Sequence, residues 1–324
     1  MKILFTGASS FTGMWFAREL AKAGHNVTAA FLRPHENYHE TRRQRVDEVT
    51  SYCQPMFNCP FGTDPFLKLV KEHNWDMLCH HAADVTNYKS PDFDFAAALT
   101  ANTKNIKQII HLLKDKGCAK ILLTGSLFEK NEGQGSDNLR AVSPYGLSKG
   151  LTTDVFEYFS AQFGMKLGKF VISNPFGPYE EPRFTTFLIR SWFDNTIPRV
   201  SFPDYIRDNI HVSLLAKAYV DFAHKLTNSP GLEKQNPIGY QESQGEFTHR
   251  FADEMRKRLS IDCPFNLGIQ KDFPEPKERL NTNQIDCNKL SWNEQQAWDE
   301  LAQYYLKEYG MQKQSHCGCG HHHS

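Results

Sequence analysis

The chain predicts a doubly wound parallel α/β sheet with a smaller mixed C-terminal lobe. Three observations carry this. Short apolar runs alternate with amphipathic helical segments through the first half. A glycine-containing turn joins the first apolar run to the first helical segment. After Asn174 the alternation gives way to segments rich in proline and aromatics. Strands separated by helices must run parallel and be covered on both faces.

Taken in order, KILF is a strand, and TGMWFARELAKAGH is a helix with Phe16, Leu20 and Ala23 on one stripe and Gly24 as its stop. NVTAAFL is the second strand. DPFLKLVKEHN opens a helix with Asp64 as N-cap and Pro65 at the first position. DMLCHHAA runs from strand into loop. TANTKNIKQIIHLLKDKG reads as one helix with Ile106, Ile109, Ile110 and Leu113 inward. AKILLTGS is a strand, 144–163 a helix, and KLGKFVISN a strand. Helices return at 213–226 and in NEQQAWDELAQYYLKEY. Residues 1–174 with about 207–227 are expected to form a dinucleotide-binding domain, and 175–206 with 228–310 a substrate lobe. The tail 311–324 lacks apolar periodicity and is expected to be disordered.

The 324 residues suffice for a sizeable core, and 37 basic residues balance 37 acidic ones. Neutral charge leaves no electrostatic footprint for a nucleic acid or a membrane surface. No run approaches the ~18 apolar residues of a membrane helix, and the apolar start is too short for a secretory signal. Cytoplasmic location is expected. Eight scattered cysteines in a chain of this length suggest free thiols. No metal site is expected. His80 and His81 read as packing residues, and the Cys317–Cys319 tail as lacking a structural metal site.

Two stretches point to chemistry. In TGASSFTG, Thr6, Gly7, Ser10, Phe11 and Gly13 lie between strand and helix, where glycine lets backbone approach a pyrophosphate at the free N–H groups of the helix end. In SPYGLSKG, Ser143 and Pro144 make a cap and first-turn pair, so Tyr145 and Lys149 fall one turn apart on one helix face. A free phenol titrates near ~10. A neighbouring ammonium and the positive helix end are expected to lower that value, fitting Tyr145 for proton transfer. Tyr309 and Lys313 repeat the spacing without the preceding strand and are read as coincidence.

Several motifs together resemble the NAD-dependent epimerase/dehydratase group, the extended short-chain dehydrogenases/reductases. Thr6, Gly7 and Gly13 match T-G-x-x-G-x-x-G, with Ser10 replacing the middle glycine. Asp76, His80, Ala82 and Ala83 match D-x-x-x-H-x-A-A, and Asn102 the helix asparagine. Asn174, Gly177 and Pro178 match N-x-Y-G-P, with Phe176 for tyrosine. RDNIHV and DCNKLSW resemble two later elements. The resemblance implies a Rossmann-type fold and a homodimer. It also implies a nucleotide-sugar substrate and a cofactor held by the opening turn, His80, Ala82, Ala83, Asn102, Tyr145 and Lys149. It places the catalytic hydroxyl at Thr124, with Ser126 as the alternative. The Asp-Glu pair of the dehydratases is replaced by Gly125 and Ser126, which leaves epimerase or reductase. Glu129 and Glu132 read as solvated loop acids. Arg207, with Arg183 and Arg279 behind it, is the candidate for the diphosphate, and Asn174 for the sugar or a phosphate. The second strand ends without an acid and with Arg33, which favours NADP over NAD. The other reading is a non-catalytic NADP-binding sensor or scaffold.

Overall fold

The computed structural model describes residues 1–310; the expectation for 311–324 and for Lys313 lies outside them. The elements in chain order are β1 (Lys2–Thr6), α1 (Phe11–Lys22), β2 (Asn26–Ala30), α2 (Glu40–Thr50), β3 (Gln54–Met56), α3 (Asp64–Glu72), β4 (Met77–His80), α4 (Phe95–Asn102), α5 (Ile106–Asp115), β5 (Lys120–Ser126), β6 (Gln134–Gly135), α6 (Pro144–Gln162) and β7 (Lys166–Ile172). There follow β8 (Asn174–Phe176), α7 (Phe184–Phe193), β9 (Arg199–Val200), β10 (Ile206–His211), α8 (Val212–Lys225), β11 (Gly231–Gln235), β12 (Tyr240–Ser243), α9 (Gln244–Leu259), β13 (Asn266–Leu267), β14 (Arg279–Leu280) and α10 (Glu294–Tyr305).

Seven strands form a parallel sheet in the order β3-β2-β1-β4-β5-β7-β11. The chain winds outward from β1 to β3, then returns to β4 on the other side of β1. The crevice for a ligand opens at such a reversal, beyond the carboxyl ends of β1 and β4. Thr6 and His80 end these strands side by side. One face of the sheet packs Phe5, Leu122 and Phe170 against Phe16 of α1 and Tyr219 of α8. The other packs Leu4, Leu78 and Ile121 against α3, α5 and Phe156 of α6. A third cluster, Phe176, Trp192, Phe251 and Trp298, is the core of the smaller lobe. Its sheet, β12-β10-β8, is mixed.

Several expected boundaries shift for local reasons. The helix read over 100–117 is two helices, because Asn105, immediately before α5, adopts a left-handed backbone (φ 55°). The cap of α3 is Thr63, with Asp64 inside the helix. The strand read through Asn174 ends at Ile172, and Asn174 begins β8 in the second sheet. Helices α2, α7 and α9 carry no expectation from sequence. The described cysteines are free. Among the described residues no helix is long and apolar enough to cross a membrane.

Candidate functional site

The opening turn is built on close backbone contact. Gly7 has φ +82°, and a Cβ there would lie 2.6 Å from the Ala82 nitrogen. A Cβ on Gly13 would lie 2.1 Å from the Gly7 carbonyl oxygen. Ser10 turns its side chain inward: its hydroxyl donates to the Gly7 carbonyl at 2.9 Å and accepts the Gly13 N–H at 3.1 Å. It therefore caps α1. This leaves the first N–H groups of the helix, at Phe11 and Thr12, without an intrahelical acceptor, a suitable end for an anion.

Thr6 ties the turn to β4. Its hydroxyl shares a hydrogen bond with His80 Nδ1 at 2.9 Å and accepts the N–H groups of His81 and Ala82, both at 3.2 Å. The His80 ring is sandwiched between Phe61 and Phe156. His81 bridges two elements, with Nδ1 2.8 Å from the Thr124 hydroxyl and Nε2 3.1 Å from that of Thr12. Burial, followed by the charge of Lys149, pushes both imidazoles down to about 3, so both are neutral. Asn102 accepts the Asp84 N–H at 2.9 Å and reaches the Thr152 hydroxyl at 3.4 Å, tying the loop after β4 to α6.

Helix α6 begins as its sequence implies. Ser143 caps it by accepting the Gly146 N–H at 3.1 Å, with Pro144 in the first turn. Lys149 is buried, and its ammonium donates to the Thr124 carbonyl at 2.7 Å. Burial lowers Lys149 to about 8; Glu129 opposes this and Lys169 adds to it. Tyr145 is half-buried and meets Tyr88 and Phe93 edge-on. Burial, and then the Glu129 carboxylate, raise its phenol above the ordinary value. This is opposite to the lowering that its spacing from Lys149 suggests.

The two candidate hydroxyls differ. That of Thr124 is buried against His81. Ser126, at the end of β5, is half-buried and accepts the Phe128 N–H at 3.2 Å. The three arginines differ too. Arg207 stacks on Tyr205 and donates to the Ile206, Pro276 and Lys277 carbonyls and to Glu275. Arg279 is 1% exposed and donates to the carbonyls of Leu127, Glu129 and Arg140 and to Asp137. Both guanidinium groups hold loops together. Arg183, ahead of α7, is half-exposed, contacts Glu181 at 3.3 Å, and lies close enough for its charge to act on Tyr145. Asn174 is half-buried where β8 meets β10.

Sequence reasoning misjudged Glu129 and Glu132. Both are buried, at 0% and 2% exposure, around Lys169. Lys169 donates to Glu129 at 2.5 Å and to Glu132 at 2.6 Å, and Lys234 reaches Glu132 at 2.9 Å. The available signal was Lys169 itself. A lysine amid the apolar run of a central strand needs buried acids.

The chain is similar in fold to several solved structures. One is the UDP-glucose 4-epimerase of Thermotoga maritima with UDP-glucose, at 15% identity and TM-score 0.72, covering 95% of this chain and 99% of that one. Another is the UDP-glucuronic acid 4-epimerase of Bacillus cereus with UDP-glucuronic acid and NAD, at 19% identity and TM-score 0.71, covering 95% and 100%. A third is DesIV, the dTDP-glucose 4,6-dehydratase of Streptomyces venezuelae with NAD, at 15% identity and TM-score 0.70, covering 96% and 98%. No curated protein matches the chain. The expectation of NADP is corrected by these likenesses: the similar structures that name a nicotinamide cofactor name NAD. Arg33 is exposed past the end of β2, with its backbone N–H on the Tyr38 hydroxyl, and its charge is no warrant for a 2′-phosphate. The family model described as "NAD dependent epimerase/dehydratase family" matches residues 3–233. With its seven-stranded sheet and glycine turn, the chain belongs to that family and is an enzyme of that general class.

Proposed function

We propose that the chain is an NAD-dependent epimerase of a nucleotide-linked sugar. The observation that carries the reading is the Lys149 ammonium, buried at the end of β5 on the Thr124 carbonyl, with Tyr145 one turn before it on α6. The N–H groups at the start of α1 suit the cofactor's pyrophosphate. Gly7, Thr6 and Ala82 shape the crevice beside them, Ala83 follows in the same loop, and Asn102 holds that loop. NAD, when bound, supplies the hydride acceptor.

Tyr145 takes the proton of a substrate hydroxyl and returns it to the resulting carbonyl. Lys149 stabilises the phenolate that this requires. Ser126 is the better placed of the two hydroxyls to donate to the substrate oxygen, because Thr124 is engaged by His81. Arg183 is the arginine suited to the diphosphate, since Arg207 and Arg279 have their donors committed. Asn174 is suited to the sugar. The epimerase reading is preferred over a reductase because the case for an exchangeable NADPH rested on Arg33.

The test is to extract and identify the bound nucleotide, then incubate the protein with UDP-, dTDP- and GDP-sugars and follow the products by NMR. Bound NAD and conversion of one sugar to its epimer are expected, and Tyr145→Phe should abolish conversion while retaining NAD. Stoichiometric consumption of added NADPH, or absence of NAD binding, would overturn the reading.

A further inference from the structure

Behind the Tyr145–Lys149 pair lies a set of buried charges that the proposed chemistry does not use. Gly125 has no side chain, and a Cβ there would lie 2.5 Å from Lys169 Cε and 3.1 Å from Glu129 Oε1. The Lys169–Glu129 pair therefore fills the space beneath the end of β5, the strand whose Thr124 carbonyl holds Lys149. Glu129 is fixed on every side. One carboxylate oxygen accepts the Ser126 N–H at 2.7 Å. The other accepts from Lys169 at 2.5 Å and from the Thr153 hydroxyl of α6 at 3.3 Å. Arg279 grips the backbone of the same loop through the Leu127 and Glu129 carbonyls. The loop also abuts the first turn of α6: a Cβ on Gly146 would lie 2.3 Å from the Phe128 oxygen.

We propose that Glu129, clamped by Lys169, is a positioning residue that sets the charge balance of the Tyr145–Lys149 pair from its buried side. This rests on the reading of that pair as the proton-handling group. Three charged or titratable elements face Lys149: Glu129 from the loop after β5, Lys169 from β7, and the neutral His80 and His81 from the end of β4. Tyr145 is faced by Glu129, by Arg183 ahead of α7, and by Tyr88 from the loop after β4. Glu129 is the acid common to both sets. It favours the ammonium at Lys149 and disfavours the phenolate at Tyr145, and so raises the pH at which the phenolate that takes the substrate proton forms beside the ammonium. Burial opposes a charge on Lys169, but the two carboxylates more than offset it and keep its value raised, so the clamp stays charged. A buried ion pair can be replaced by apolar residues without loss of stability, so stability alone does not account for charges at this place.

The direct test reads Lys149 without turnover. The protein is labelled with [13Cε]lysine and titrated by NMR, with the Lys149 signal assigned through its loss in Lys149→Arg. Glu129→Gln is expected to move the Lys149 midpoint to lower pH by roughly one unit. Glu132→Gln, which leaves the Glu129–Lys169 contact in place, should leave it unmoved. If Glu129→Gln does not fold, the neutral pair Glu129→Gln with Lys169→Met replaces it. The midpoint should then fall by less, because Glu129 acts on Lys149 more strongly than Lys169 does. An unmoved midpoint in the folded variant overturns the proposal. The pH dependence of turnover separates the two readings. A moved midpoint with a profile shifted to acid supports both. A moved midpoint in a protein that turns over no nucleotide-sugar retains the charge effect and rejects the function. A moved midpoint with an unmoved profile rejects Glu129 as a positioning residue.

Discussion

Two segments of the large sheet do similar work by opposite means. The turn over 6–13 leads from β1 to α1, and the segment over 125–132 runs on from the end of β5 and supports the start of α6. The first is made of backbone. Gly7 and Gly13 are pressed against carbonyl and amide groups, and its one polar side chain that caps is Ser10. The second is made of charge, with Glu129 and Glu132 buried around Lys169 and the loop backbone held by Arg279. The first must leave N–H groups free for an anion. The second must keep a protonated lysine buried, which is costly without compensating carboxylates. A steric device fails when atoms are added, and an electrostatic one fails when a partner is removed.

The largest expected effect breaks the charged segment. Lys169→Met leaves Glu129 without its cation, and should cost about 3–5 kcal/mol of unfolding free energy in urea. A loss below about 1 kcal/mol would mean that the two segments are not built on different principles.

The next effect concerns His81, which joins the glycine turn to β5. Burial, and then Lys149, hold its folded value at about 3 against an ordinary 6.5. Because the folded value is the lower one, the stability it contributes is whole above pH 6.5. It is lost as the pH falls toward 3. His81→Gln can keep one donor and one acceptor and should remove about 2–3 kcal/mol of the loss between pH 7.5 and pH 4.5. Equal acid sensitivity in the two proteins, measured by urea unfolding at both pH values, would count against a neutral bridging imidazole.

Smaller effects sharpen the backbone side of the comparison. Gly13→Ala forces its Cβ onto the Gly7 carbonyl and should cost about 2 kcal/mol, with NAD affinity falling in parallel. Ser10→Ala removes the cap of α1 and should cost about 1 kcal/mol, whereas Ser10→Gly should cost only about a few tenths. Thermal melting of the three variants gives the order.

Much of the site is legible in the chain. The glycine turn and the Ser143–Pro144 start of α6 depend on residues within a few positions of one another, and both form as read, with Tyr145 and Lys149 one turn apart on α6. The break before α5 was missed because the apolar residues continue across it and only the left-handed backbone of Asn105 marks the new start. The direction of the Tyr145 shift was missed for a longer-range reason. The spacing names Lys149 as its neighbour, while the ring is packed by Tyr88 and Phe93 from a loop some fifty residues earlier and faced by Glu129.

By itself the sequence determined most of the alternating strands and helices of the first half, where backbone must turn tightly, and which pair of side chains shares one face of α6. These are matters of local sterics and periodicity. Only the tertiary structure decided which charges are buried and which arginines are free. Lys169 finds Glu129 forty residues away, and Arg279 finds the same loop at about one hundred and fifty. Whether a charge is compensated depends on what the fold packs against it, and spacing along the chain carries no record of that.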